Sequence, residues 1–203
     1  MSSKDLFAHK SKEWDANSKR VQGAKAIANV IEDKIELNDS MHLMDFGAGT
    51  GLLSFSLSDK IGKVTALDNS PSMLEVFNEK SNLFGCETSI VNLDLSTQNL
   101  PEGSRFDGII SSMTIHHIED VEELFKKFYA LLPKDGFIAL ADLEREDGTF
   151  HSNNEGVFHF GFEPNELKEI AQRVGFKKVE VYHANTIKKP HAEFRVFLLV
   201  GWR

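Results

Sequence analysis

The sequence predicts an α/β domain built on a mainly parallel sheet. Three observations carry this expectation. Short apolar runs alternate with stretches of helical periodicity, the connections between them are short, and the run "LMDF" leads straight into a glycine turn, "GAGTG", that opens a helix. Such alternation implies right-handed crossovers between parallel neighbours. A chain of 203 residues suits one such domain over residues 1–203 and is long enough to bury a core.

Each element has a local reason. Ala24, Ile27, Ala28 and Ile31 follow the i, i+3, i+4, i+7 spacing of a helix with one buried face. "MHLMDF" (41–46) reads as a buried strand, and the glycine turn then starts a helix containing Leu52, Leu53, Phe55 and Leu57. "KVTALD" (63–68) is a second strand. Ser70 as N-cap and Pro71 at the first helical position open the next helix, through Met73, Val76 and Phe77. "ETSIVNLD" (87–94) and "RFDGIISS" (105–112) are the third and fourth strands. Val121, Leu124, Phe125, Phe128, Leu131 and Leu132 make an apolar helical stripe that Pro133 and Gly136 end. "GFIALAD" (136–142) is the fifth strand, and Pro164 to Gly175 bound another helix. "KKVEVYH" (177–183) and "EFRVFLLVG" (193–201) close the chain with no helix between them, which makes them an antiparallel pair joined by a loop over 184–192.

Composition excludes several classes. The net charge of −8 disfavours a general nucleic-acid binder, whose domain would be basic. Cys86 is the only cysteine, so an intrachain disulfide and a cysteine-rich metal site are both out of reach, and a reducing, cytoplasmic setting suits the chain. The first residues, "MSSKDLFAHKSKEWD", carry no apolar signal region, and no run approaches membrane-spanning length.

The glycine turn discriminates between ligands. A phosphate-binding loop needs Lys-Ser/Thr after its last glycine, but Leu52 and Leu53 follow Gly51. A dinucleotide turn needs a small residue where Leu52 stands. The spacing here is Gly47, Gly49, Gly51, and Asp45-Phe46-Gly47-Ala48-Gly49-Thr50-Gly51 resembles the first motif of the class I S-adenosylmethionine (SAM)-dependent methyltransferases. Asp68 and Asp94, at successive strand ends, and "FDGIISSMTIHHIED" extend the resemblance over residues 40–145, with the pattern of the ubiquinone/menaquinone-biosynthesis-type branch. The family implies a Rossmann-like sheet of seven strands in the order 3-2-1-4-5-7-6, with strand 7 antiparallel and helices on both faces.

The resemblance also implies a cofactor site, in which SAM is consumed and S-adenosylhomocysteine released. Asp45, Gly47, Ala48, Gly49 and Gly51 would cradle it, the glycines at 47 and 49 giving backbone clearance. Asp68 would meet the ribose, Asp94 and Leu95 the adenine, and Ser111 the methionine end, with Asn69 and Met73 also among the cofactor-binding residues. His117, then His116, are the candidate general bases beside the methyl group. The aromatic and His-rich segment 146–162 reads as a substrate-side insertion, with His151, Phe158, His159 and Phe160 in the pocket wall. Residues 1–35, which carry Phe7 and Trp14, read as a helical lid or cap, with Trp14 the candidate lid aromatic at the substrate pocket. No metal site is expected, because no carboxylate-histidine spacing supports one.

A small-molecule acceptor with an O, N, S or C nucleophile is the expected partner, without nucleic acid or membrane. "SSMTIHH" stands where methylases of adenine or glutamine amides carry an Asn/Asp-Pro-Pro signature, and one cysteine is too few for arsenic methylation. The other reading of the same residues is a SAM-binding module without catalysis that serves a protein partner.

Overall fold

The computed structural model describes Asp5 and residues 11–203. In chain order it contains α1 (Ser18–Lys34), β1 (His42–Phe46), α2 (Leu52–Leu57), β2 (Lys63–Asp68), α3 (Pro71–Glu79), β3 (Glu87–Asn92), β4 (Gly108–Ser112), α4 (Val121–Leu131), β5 (Phe137–Leu143), α5 (Pro164–Val174), β6 (Lys177–Lys188) and β7 (Glu193–Trp202). The strands form one sheet in the order β3-β2-β1-β4-β5-β7-β6. The first five are parallel, and β7 runs antiparallel to both β5 and β6. This is the expected Rossmann-like arrangement. The strand order reverses between β1 and β4, and a crevice opens at such a reversal, beyond the carboxyl ends of the strands.

Strand alternation sorts the core into two layers. Leu43, Val64, Ala66, Ile110, Ala139 and Ala141 face α1, α2 and α3. Met44, Leu67, Ile109, Ile138 and Leu140 face α4 and α5. Successive side chains of a strand point to opposite faces, so one buried strand serves both layers. The helices begin where the sequence supplies a cap. Asn17 accepts from the N–H groups of Lys19 and Arg20, Ser70 from Met73, and Asp120 from Glu123. Gly175, at φ +122°, ends α5 by donating to the carbonyls of Ala171 and Gln172.

Three boundaries differ from expectation. β3 stops at Asn92, which leaves Asp94 in the turn beyond it, where its Oδ1 accepts from the N–H and hydroxyl of Ser96. β4 begins only at Gly108. β6 runs on to Lys188, so the loop expected over 184–192 shrinks to a tight turn with Lys189 N–H donating to Ala192 O at 2.9 Å. The reason is a register shift between His183 and Asn185. An extra residue there breaks the alternation, and the pattern no longer reads as one strand.

Leu43 is fully buried in β1. Leu43→Ala should cost about 2–5 kcal/mol, the range for buried large-to-small changes. Urea unfolding would register this as a lower midpoint at unchanged slope.

Candidate active site

The three glycines of the turn all have positive φ, +66° at Gly47, +55° at Gly49 and +82° at Gly51. Their surroundings differ. A Cβ on Gly47 would lie 2.1 Å from a carbon of Thr114, and one on Gly51 would lie 2.4 Å from the Phe77 ring. A Cβ on Gly49 would meet nothing within 4 Å. The expectation that Gly47 clears space for a ligand is therefore corrected: it clears space for Thr114. Gly49 alone turns its bare face to open space. Ala48 and Thr50 lie between them, and Gly47 and Ala48 donate to the Leu67 carbonyl.

Asp68 closes this turn from the neighbouring strand. Its Oδ2 accepts from Gly49 N–H at 2.7 Å and its Oδ1 from Ser70 N–H at 2.8 Å. Each oxygen keeps a further lone pair for a ligand hydroxyl. Burial pushes the Asp68 carboxyl pKa up, against the bonds from Ser70 and Gly49. Asn69 is exposed beside it, and Met73 is buried with its N–H on the Ser70 hydroxyl. Leu95 is buried in the second core layer, its carbonyl accepting from Lys127. Ser111 is also buried, and its hydroxyl donates to Phe46 O at 2.7 Å, which ties β4 to the end of β1.

The segment before α1 crosses this turn. Thr50 donates to Asp15 Oδ1 at 2.6 Å, and Lys80 pairs with the other Asp15 oxygen. Asp5 accepts from the Ser70 hydroxyl and the Ser72 N–H. Sequence reading singled out aromatics here and missed these acids, which look like ordinary surface residues. Trp14 is half-buried with the Arg20 guanidinium 3.8 Å from its ring centre. Phe7 lies outside the described residues.

On the other side of the crevice, His116 and His117 sit in a short helical turn after β4. Met113, at φ +59°, and Thr114, bonded to the carbonyls of Gly47 and Ser112, lead into it. His116 is fully buried. Its Nδ1 lies 2.7 Å from Asp142 Oδ1, and its backbone N–H donates to Asp142 Oδ2 at 3.2 Å. Asp142, itself fully buried near the end of β5, was not foreseen, since one acid inside an apolar strand carries no signal of its partner. His117 Nδ1 lies 2.6 Å from Gly156 O. A carbonyl only accepts, so Nδ1 carries the proton and Nε2 holds a lone pair. His151 joins them, its ring centre 5.0 Å from that of His116 and 5.8 Å from that of His117. Burial, with the neighbouring histidines adding to it, lowers the His151 pKa to about 4. Burial and the nearby His116 also lower that of His117.

The segment 146–162 clamps this turn. Phe158 and His159 donate their N–H groups to His116 O, and His159 Nε2 donates to Ile118 O at 2.9 Å. The four residues expected to form one wall divide between two places. His151 stands with the histidine pair. Phe158, His159 and Phe160 line a separate cleft of about 950 Å³ that runs between the starts of α4 and α5.

Asp45 supplies a pH test. It is 2% exposed, its Oδ2 accepts from the Ser54 hydroxyl at 2.5 Å, and burial, opposed by that bond and reinforced by Asp68, raises its pKa from 3.8 to about 7. A carboxyl raised on folding contributes stability fully below its unfolded pKa and loses it as pH rises through the folded one. The window is therefore about pH 4 to 7. Asp45→Asn keeps an acceptor for Ser54 and removes the charge. Relative to the parent, ligand-free Asp45→Asn should gain stability across that window, on the order of 1.4 kcal/mol per pKa unit. Urea midpoints that shift in parallel for both proteins at pH 4, 5.5 and 8 would contradict this.

Comparison with known proteins matches residues 44–140 to a methyltransferase domain. An uncharacterized methyltransferase of Schizosaccharomyces pombe is 31% identical over 75% of the chain and 57% of its own length. The malonyl-[acyl-carrier protein] O-methyltransferase of Acetivibrio thermocellus is 28% identical over 96% of the chain and 72% of its own length. The chain thus spans little more than half of the first relative. In fold, it resembles the crystal structure of a SAM-dependent methyltransferase from Aquifex aeolicus, with a TM-score of 0.71 at 18% identity over 96% of this chain and 97% of that one. With the sheet order and the glycine turn, these matches identify a methyltransferase domain over residues 44–140, carried in the class I SAM-dependent methyltransferase fold.

Proposed function

We propose that this protein binds SAM across the ends of β1 and β2 and moves its methyl group to a small-molecule nucleophile by in-line displacement. The observation that carries the cofactor half is the contrast among the turn glycines. Thr114 and Phe77 fill the space beside two of them, whereas Gly49 faces open space next to the half-buried Asp68 carboxylate with lone pairs to spare. Those features suit a phosphate-free, ribose-bearing ligand pressed against backbone. The chain's net charge of −8 favours a small acceptor over a nucleic acid, whose phosphates it would repel.

The sulfonium makes the methyl carbon electrophilic and the departing thioether neutral, so the protein's task is alignment, exclusion of water and removal of a proton. The acceptor is activated at the histidine turn. His117 is the first catalytic candidate because its ring is half-buried rather than sealed. His116 holds its neighbours in place through Asp142.

Calorimetric titration with SAM, S-adenosylhomocysteine and NAD tests the cofactor. The two sulfur ligands should bind at micromolar levels and NAD should not. Gly49→Val should abolish binding by filling ligand space. At φ +55° it also strains the turn, so circular dichroism checks that the fold is kept. Asp68→Ala should weaken binding by about 1.5–3 kcal/mol. Full affinity in Asp68→Ala would remove the ribose assignment. With an acceptor that supports label transfer from methyl-tritiated SAM, His117→Ala should lower turnover by roughly 10²–10⁴-fold at nearly unchanged SAM affinity.

A further inference from the structure

We propose that His116, His117 and His151 form a binding site for one divalent transition-metal cation, with zinc the best chemical match, that leaves a coordination position open to the methyl acceptor. One nitrogen from each ring lies within 4.8 Å of the others. The two rings from the β4 turn are oriented from behind. Asp142 takes His116 Nδ1 and Gly156 O takes His117 Nδ1, which turns both Nε2 atoms away from their pinned edges. Carboxylate and carbonyl partners of this kind fix the tautomer and raise the basicity of metal-binding histidines.

Two further atoms point to a ligand. Among the described residues, His116 Nε2 and His151 Nδ1 are buried without a hydrogen-bond partner. Buried polar atoms are otherwise nearly always satisfied, and an orphan calls for an explanation such as an ion. Here two orphans belong to the same three-ring cluster. Lone pairs crowded together repel one another, and a shared cation turns that repulsion into coordination.

The donor set selects the metal. Three imidazoles without a coordinating carboxylate suit zinc, cobalt, nickel or copper and disfavour magnesium and calcium, which take oxygen ligands. Three protein donors with one position left over is the composition of a catalytic rather than a structural zinc site. Zinc–nitrogen bonds of about 2.0–2.1 Å in a tetrahedron put the nitrogens ~3.4 Å apart, so no pair has to close by more than about 1.5 Å. His151 supplies that movement most cheaply, since it sits in a connecting segment and the other two rings are pinned.

What the cation does rests on the methyl transfer proposed above. An acceptor hydroxyl or thiol bound at the open position loses its proton to water. Its oxygen or sulfur then forms the bond to the methyl carbon while the carbon–sulfur bond of SAM breaks, the electron pair staying on the departing sulfur. The cation, held in part by His117, would lower the acceptor's pKa, and no free imidazole base is needed.

The test uses tag-free full-length protein, stripped with a chelator and titrated calorimetrically with zinc, cobalt and magnesium chlorides, with elemental analysis after gel filtration. The expected result is one zinc per chain, a cobalt form with the intense visible bands of a four- or five-coordinate site, and no heat from magnesium. His151→Ala should reduce zinc affinity beyond the roughly 10–100-fold that loss of an outer partner costs, with SAM titration unchanged. Absent or sub-stoichiometric zinc binding, or equal binding in the parent and His151→Ala, overturns the site. Zinc binding without SAM binding would instead overturn the function proposed above and leave the metal site standing.

Discussion

No side chain fits at Gly47, and the rest of the crevice depends on that. Thr114 occupies the place where a Cβ would project and bonds to the Gly47 carbonyl, while Ser111 does the same to Phe46. These contacts join the end of β1 to the turn after β4 at the point where the strand order reverses. The glycine turn on one side and the histidine turn on the other therefore share a wall of backbone. A movement of one is felt by the other across van der Waals contact, because packed interiors transmit strain instead of absorbing it.

Much of this was legible in the sequence. Strand-helix alternation, the Ser70-Pro71 start and the stop at Gly175 each have a local cause that acts the same way in any fold. The seven-strand order followed from resemblance carried by Asp45 to Gly51, and the pairing of the strands bears it out. What stayed hidden depends on residues distant in sequence. Asp142 meets His116 across two adjacent strands, and Asp15 reaches Thr50 from the far side of α1. Neither acid differs from a strand-end or surface acid until the fold brings its partner near. The bulge in β6 escaped for another reason: an extra residue inverts the alternation on which strand reading relies.

The glycines show how a correct motif can carry a wrong local reason. All three adopt positive φ, so the motif is explained by backbone conformation alone. Only the positions of Thr114 and Phe77 reveal that two of the three are reserved for the protein's own side chains. Residue spacing records the conformation of a turn but not which of its faces is already filled.

β7 is the last strand in sequence, yet it lies between β5 and β6, with Val196 to Val200 wholly buried. Strand insertion of this kind has a kinetic consequence. During synthesis, β5 carries an unpaired edge until some fifty further residues have emerged. Pairings so far apart in sequence close slowly, and an exposed apolar edge invites association with other chains meanwhile. The acid of the buried Asp142–His116 pair sits on that same waiting strand. The histidine side of the crevice thus waits on a later strand than the glycine turn and its Asp68 clasp, whose residues all precede β3.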